Sequence, residues 1–261
     1  MDPNIKLNRA RKRLDELQIW IDKYFSVTPY KVSVRTNSEN RSEYYLCDVV
    51  PVPVDITLLA CEVIQNLRSS LDHLVYKAFK TDPANNKKDG SRICFPINDS
   101  KEGYDLEKNK KIVGVPQAIR DKIDVYKPYK EGNIILWQLH KLNNIDKHRL
   151  PVTVGSRNGG VDIMPSILQT MGAITNLKKF DELQKNTGPL YLVPSDNSPV
   201  KKGDILFVDL PGKSPIQMDF QFFITFYEPG IIMGSEIKIT LESMYSEVSK
   251  IVREVNELFV V

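Results

Sequence analysis

The stretch Asp55–Lys80, DITLLACEVIQNLRSSLDHLVYKAFK, constrains this chain most, because it predicts one long and mostly apolar helix. Polar residues nevertheless run through its middle: Asn66, Arg68, Ser69, Ser70, Asp72 and His73. A helix that served packing alone would carry leucine or alanine at several of these positions. The other two histidines of the chain, His140 and His148, fall in a second polar-studded helical segment, Leu136–Leu150. We therefore expect the fold to bring these two helices together.

Amphipathic periodicity and alternation predict the remaining elements. Apolar residues recur every three or four positions in Ile5–Phe25, in Gln117–Tyr126 and in Ile237–Phe259, which predicts three further helices. Tyr30–Thr36 and Glu43–Val49 alternate as paired strands do. Further strands are predicted in the second half of the chain, between turn residues: 151–154, 161–163, 166–175, 190–193, 204–209 and 219–227. Two polar stretches are interpreted as a loop without core positions and as a mobile segment: 81–92 and 98–111.

The order of these elements predicts an α+β protein, with a helical bundle of about five helices and an antiparallel β-layer inserted before the C-terminal helix. Residues 1–149 and 235–261 are expected to form the bundle, which also carries the small N-terminal hairpin, 30–50. Residues 150–234 are expected to form a β-rich insertion that packs on the bundle.

Composition limits the class of protein. No apolar run reaches the roughly 18 residues that a membrane-spanning helix needs, and the N-terminal residues lack the apolar centre of a signal peptide. The three cysteines, Cys47, Cys61 and Cys94, show no paired spacing, so we expect buried thiols in a reduced compartment and neither disulfides nor a zinc knuckle. These features predict a cytoplasmic protein that does not contact a membrane.

Basic residues cluster on the first predicted helix. The net charge of +3 is too small to indicate a polyanionic partner by itself. A stripe on one helix can still face phosphate groups. The candidate RNA-binding residues are Arg9, Arg11, Lys12 and Arg13, with Lys147 from the second polar helix.

Helical spacing places the polar residues relative to one another. Arg68 and Asp72 are one turn apart and can pair. Five residues rotate a helix by about 140°, so Arg68 and His73 flank a face of the helix. On the second polar helix, two neighbouring ridges are predicted: His140, Asn143 and Lys147, and beside them Asn144 and His148. If the two helices meet, they form a pocket of imidazoles, amides and cations above an apolar floor.

This mixture suits the cleavage of RNA without a metal ion. Histidine exchanges protons near neutral pH, and arginine binds phosphate through a planar fork. One group can help the 2′-hydroxyl to attack the adjacent phosphorus while the other stabilises the negative charge that develops.

Asn66–His73, NLRSSLDH, resembles the Arg-x4–6-His signature of the HEPN superfamily, which consists of helical-bundle proteins and includes many metal-independent ribonucleases. The later segment LHKLNNIDKHR, 139–149, is similar to one that accompanies "LRSSLDH" in uncharacterised bacterial and phage-associated proteins. The resemblance implies a homodimeric endoribonuclease of phage defence or a toxin system, with an antitoxin or regulatory partner and without a metal or cofactor. Arg68 would then bind the scissile phosphate and His73 would act as the acid or base. The supporting residues would be Asn66, Ser69, Asp72, His140, Asn143, Asn144 and His148.

Alternative interpretations stay open at this point. The chain can be a non-catalytic HEPN-like dimer that binds a nucleotide, RNA or a protein. Arg68 and Asp72 can form a salt bridge that fixes helix packing, and His73 can be a hydrogen-bonded core residue. A metal site would combine the three histidines with Asp72 or Asp146, but no short ligand motif such as HExxH supports it.

Overall fold

A computed structural model describes residues 2–148, 152–172, 188–212 and 214–259, without the side chains of residues 147, 148 and 172. This part of the chain is a mixed α+β protein with seven α-helices and two antiparallel sheets. The helices are α1 Pro3–Ser26, α2 Val54–Phe79, α3 Lys101–Lys111, α4 Gln117–Val125, α5 Ile134–His148, α6 Met164–Gly172 and α7 Ile237–Asn256. Two short 3-10 helices cover Pro83–Asn85 and Glu257–Phe259. None of the helices described is long and apolar enough to cross a membrane.

The strands form a three-stranded and a four-stranded sheet, in the orders β1-β2-β5 and β4-β3-β6-β7. Their bounds are β1 Tyr30–Thr36, β2 Ser42–Val49, β3 Val154–Asp162, β4 Tyr191–Leu192, β5 Ile205–Val208, β6 Phe220–Glu228 and β7 Ile232–Glu236. The predicted hairpin is confirmed, because β1 and β2 pair from Tyr30 opposite Val49 to Thr36 opposite Ser42. In its turn the side-chain oxygen of Asn37 accepts hydrogen bonds from two main-chain N–H groups, as asparagine often does in turns.

The chain divides into two compact units. The first, here the helical unit, comprises Met1–Ile21, Val54–Thr153 and Glu228–Val261. The second, here the β unit, comprises Asp22–Pro53 and Val154–Tyr227. The hairpin therefore groups with the later strands, whereas the sequence analysis attached it to the helices. The reason lies in pairing, because β2 forms a ladder with β5 and Tyr44 belongs to the apolar cluster of the β unit.

In the helical unit, α2 packs against both α5 and α7. Its apolar residues recur every three or four positions and are fully buried: Ile56, Ala60, Ile64, Leu67, Leu71, Leu74 and Ala78. Burial of each large side chain contributes roughly 1.5–3 kcal/mol. The packing of α2 against α5 confirms that the two polar-studded helices come together.

Two helices were absent from the sequence prediction of about five. The first is α3, in the segment that was interpreted as mobile. Ser100 caps it by accepting a hydrogen bond from the N–H of Gly103 (3.1 Å), and Tyr104 is buried with its hydroxyl 2.6 Å from Asp124. One capping residue and one buried tyrosine therefore fix a helix that is otherwise polar.

The second is α6, where the prediction of a strand at 166–175 is wrong for residues 166–172; residues 173–175 lie outside the described ranges. The carboxylate of Asp162 accepts the N–H of Met164 (3.0 Å) just ahead of the first turn, and Leu168 is buried. A short apolar run does not distinguish a strand from a buried helix by periodicity.

Candidate functional site

Arg68 and Asp72 together bind the main chain of Phe95. Nη2 of Arg68 donates to the carbonyl oxygen of Phe95 (2.7 Å) and lies 3.0 Å from Oδ1 of Asp72. The same Oδ1 accepts the N–H of Phe95 (2.9 Å). Buried peptide groups require hydrogen-bond partners, and both main-chain groups of the fully buried Phe95 find theirs in charged side chains. The predicted one-turn pair is confirmed. We call these three residues the Phe95 clamp.

The Phe95 clamp leaves the guanidinium of Arg68 little exposed. The residue is 6% exposed, and Nη1 is buried without a hydrogen-bond partner in the described part of the chain. The positive charge of Arg68 lowers the pKa of His140 on α5. The guanidinium therefore lies on the side of α2 where the Phe95 segment and α5 pack.

His73 has different neighbours from Arg68. The ring is half-buried, and its Nδ1 has no hydrogen-bond partner among the described residues. Burial lowers the pKa of His73 and the charge of Lys6 lowers it further, while Asp72 acts in the opposite direction. His73 is thus under the influence of α1, as the rotation of about 140° between positions 68 and 73 predicts.

His140, on α5, is close enough to Arg68 to be affected by its charge. Burial, and then the charge of Arg68, lower the pKa of His140 to about 3, so this imidazole is neutral at pH 7. Its Nε2 lies 3.1 Å from Nδ2 of Asn144. Asn143 is 2% exposed, and its Oδ1 has no hydrogen-bond partner in the described ranges. The side chains of Lys147 and His148, two predicted site residues, lie outside the described part.

Asn66 and Ser70, two other polar residues of α2, donate hydrogen bonds to main-chain carbonyls. Nδ2 of Asn66 donates to the carbonyl oxygen of Glu62, one turn earlier (2.7 Å). Ser70 donates to the carbonyl oxygen of Pro3 (2.9 Å) and so fixes the start of α1 against α2. Ser69 is partly exposed. Part of the polar content of α2 is therefore explained by the way the helix holds its neighbours.

The predicted basic stripe separates into two groups. Arg11 pairs with Glu242 (2.8 Å), and Arg13 pairs with Glu16 and Glu62. These pairs raise the pKa of each arginine and neutralise its charge locally. Both arginines are thereby engaged with carboxylates.

The other group of cations lines a groove between α1 and α2. The groove has a volume of about 260 Å³. Its walls are formed by Ile5, Lys6, Asn8, Arg9, Lys12 and Asn66, without a carboxylate. No ion pair involves Lys6, Arg9 or Lys12 in the part of the chain that the structure describes. We call this the basic groove. Sequence reasoning missed Lys6, although positions 6 and 9 are neighbours on a helical surface.

Comparison with protein families, curated proteins and solved structures finds no match to this chain. Within the described ranges, no three histidine, cysteine, aspartate or glutamate side chains gather closely enough to hold a metal ion. The features of the chain that bear on its function are therefore the cations of the basic groove and the buried guanidinium of the Phe95 clamp.

Proposed function

We propose that this chain is an RNA-binding module of the HEPN type, in which the basic groove binds the phosphodiester backbone and the Phe95 clamp holds the fold. The observation that carries the proposal is the set of three cations, Lys6, Arg9 and Lys12, that line one groove without a carboxylate. Such cations release counterions from a nucleic acid and so supply sequence-independent affinity.

The burial of Arg68 supports binding in preference to catalysis. To contact a phosphate, its guanidinium would have to leave Asp72 and the carbonyl of Phe95. Breaking a buried ion pair costs about 3–5 kcal/mol, which is a large part of the stability of an ordinary domain. The cations of the basic groove need no such rearrangement.

The test is the salt dependence of binding to a fluorescein-labelled single-stranded RNA, measured by anisotropy. Replacing Lys6, Arg9 and Lys12 together by glutamine should weaken binding at least tenfold at low salt. It should also reduce the slope of log K against log salt by about 2, since each lost phosphate contact contributes about 0.7. The matched control replaces by glutamine three exposed lysines that lie outside the groove and form no ion pair among the described residues: Lys87, Lys110 and Lys127. Equal losses in both triple variants would refute the proposal.

A metal-independent ribonuclease is the second candidate, favoured by two buried atoms without hydrogen-bond partners in the described part: Nη1 of Arg68 and Nδ1 of His73. The hydrogen-bonding capacity that these atoms leave unused would suit a phosphate and a 2′-hydroxyl, once a movement of the buried side chains had opened the site to RNA. Incubation of the protein with RNA in EDTA separates the candidates. Products with 2′,3′-cyclic phosphate ends that disappear in His73→Gln, with RNA affinity retained, would establish the enzyme. If the RNA stays intact, the protein is a binding module and not a ribonuclease. The resemblance implies a homodimer in either role, which sedimentation measures.

A further inference from the structure

A second groove runs along the other side of α1, where α1 faces α7. Its volume is about 530 Å³. Its polar lining consists of Asn4, Asn8, Tyr245, Ser249, Arg253 and Asn256, and one carboxylate, that of Glu257, also lines it. We infer that this groove, here the amide groove, binds an unpaired base of the RNA chain whose phosphates lie in the basic groove. The inference rests on the proposed function and adds to it that the ligand is single-stranded.

The two grooves adjoin each other. Asn8 lines both of them, so the first turns of α1 form the ridge that separates the two. An α-helix with its side chains is about 10 Å wide. A chain that places phosphates beside Lys6 and Arg9 therefore has to cross only one helix to place a base beside Asn4 or Tyr245.

The groups in the amide groove match the edges of a base. Three asparagines line this groove, and asparagine offers both donors and acceptors, as base edges do. Nδ2 of Asn4 already donates to Asp2, and Oδ1 of Asn256 accepts from Lys77. Oδ1 of Asn4, Nδ2 of Asn256 and both groups of Asn8 have no hydrogen-bond partner among the described residues and remain for a base.

The hydroxyl oxygen of Ser249 is buried and has no hydrogen-bond partner among the described residues. Leu7, which is buried, adds an apolar floor. A groove with convergent polar groups above an apolar floor is typical of sites that bind small planar ligands.

Tyr245 supplies a stacking surface. The guanidinium of Arg11 lies 4.0 Å from the centre of its ring, and Glu242 holds this arginine at 2.8 Å. Arg11 therefore covers one face of Tyr245, and stacking of a base uses the other face. Aromatic side chains bind bases of any identity in this way.

Only an unpaired base satisfies this arrangement. In an RNA duplex the hydrogen-bonding edges are occupied by the partner strand and the ring faces are stacked inside the helix. Single-stranded RNA exposes both. The basic groove alone would bind either form, because it contacts phosphates. Preference for a single strand therefore reports on the amide groove and not on the basic groove.

The experiment compares three labelled 12-nucleotide probes by anisotropy at one salt concentration: a single-stranded RNA, the same strand in a blunt duplex, and an abasic strand of ribose phosphates. We expect the single strand to bind at least tenfold more tightly than the other two. Tyr245→Leu and Asn4→Ala, at residues that line the amide groove and not the basic groove, should each weaken binding of the single strand, Tyr245→Leu by about tenfold. Neither variant should change the affinity for the abasic strand. Tyr76→Leu is the matched control, because Tyr76 is also half-buried beneath a cation, Lys80, and lines neither groove.

The outcomes separate the two proposals. Equal affinity for all three probes, or equal losses on the single and abasic strands in Tyr245→Leu, would overturn the base-binding groove and leave RNA binding intact. Failure of the wild-type protein to bind any probe would overturn both. Circular dichroism of each variant checks that it is folded, and Asn4→Ala provides a second variant at an exposed position.

Discussion

Replacement of Arg68 and Asp72, singly and together, tests whether the Phe95 clamp holds the helical unit. Arg68→Met removes two charge-assisted hydrogen bonds and leaves the buried carbonyl of Phe95 without its donor. Asp72→Ala leaves the N–H of Phe95 and a guanidinium that is only 7% exposed without their carboxylate. We expect each variant to lower the free energy of unfolding by about 3 kcal/mol, at the lower end of the range for buried pairs, since the side chain of Asp72 is 30% exposed.

The double variant gives the magnitude of the interaction. If the two residues acted independently, the loss in Arg68→Met/Asp72→Ala would be about 6 kcal/mol. Because the second substitution finds the pair already broken, we expect about 4 kcal/mol and hence a coupling energy of about 2 kcal/mol. Lys101 and Asp105 are the matched control, as they have the same spacing on α3 with side chains that are 62% and 46% exposed. Their coupling energy should be about 0.3–0.5 kcal/mol.

Tryptophan fluorescence during urea unfolding at pH 7 is the appropriate assay. Both tryptophans of the chain, Trp20 and Trp137, belong to the helical unit that contains the clamp. A coupling energy as small as that of the exposed control pair would refute the structural role of Arg68. It would also restore the expectation that this guanidinium is free for a phosphate.

Three further predictions concern buried polar groups. The pKa of His140 is lowered to about 3, below its value of about 6.5 in the unfolded chain. The unfolded chain therefore binds the proton first, and stability falls as the pH drops from about 6.5 toward 3. In urea titrations at pH 7 and 4.5, His140→Gln should remove about 2 kcal/mol of this loss, and an unchanged loss would contradict the assignment. In the same urea titrations at pH 7, Asn85→Ala should lower the free energy of unfolding by about 3 kcal/mol, because the amide of this fully buried residue donates to two main-chain carbonyls. Asn86→Ala is the control at an exposed position and should change the free energy of unfolding by less than about 0.5 kcal/mol. Burial raises the pKa of Cys61 to about 12, whereas Cys47 is only partly buried. Iodoacetamide at pH 8 should therefore alkylate Cys47 before Cys61, which peptide mass spectrometry measures. The reverse order would contradict the burial of Cys61.

The sequence was sufficient where the relevant interactions are local. The long helix α2 follows from its periodicity, and the pair of Arg68 and Asp72 follows from the one-turn spacing. Each of these depends on residues within four positions of one another.

The sequence was insufficient where the partner lies far along the chain. Arg68 donates to the carbonyl oxygen of Phe95, which is 27 residues away in the sequence. No local pattern in Ile93–Ile97 predicts this hydrogen bond. Asn85 was assigned to a loop without core positions, yet its amide donates to the carbonyls of Phe79 (3.0 Å) and Gly114 (2.9 Å). An asparagine that terminates a helix from within a polar loop has the same composition as a solvent-exposed one. Only the tertiary structure distinguishes them.

The amide groove is formed by α1 and α7, which are far apart in the sequence, and this separation determines the order in which the proposed binding surfaces form during synthesis. Arg11 and Glu242, whose contact positions Tyr245, are 231 residues apart. During synthesis the ribosome releases α1 and α2 before Ile237–Asn256 has emerged. Under the proposed function, a nascent chain would therefore attract RNA only through the charges of the basic groove. Discrimination between paired and unpaired strands would begin when α7 packs against α1, and it would be missing from any fragment that ends ahead of residue 237.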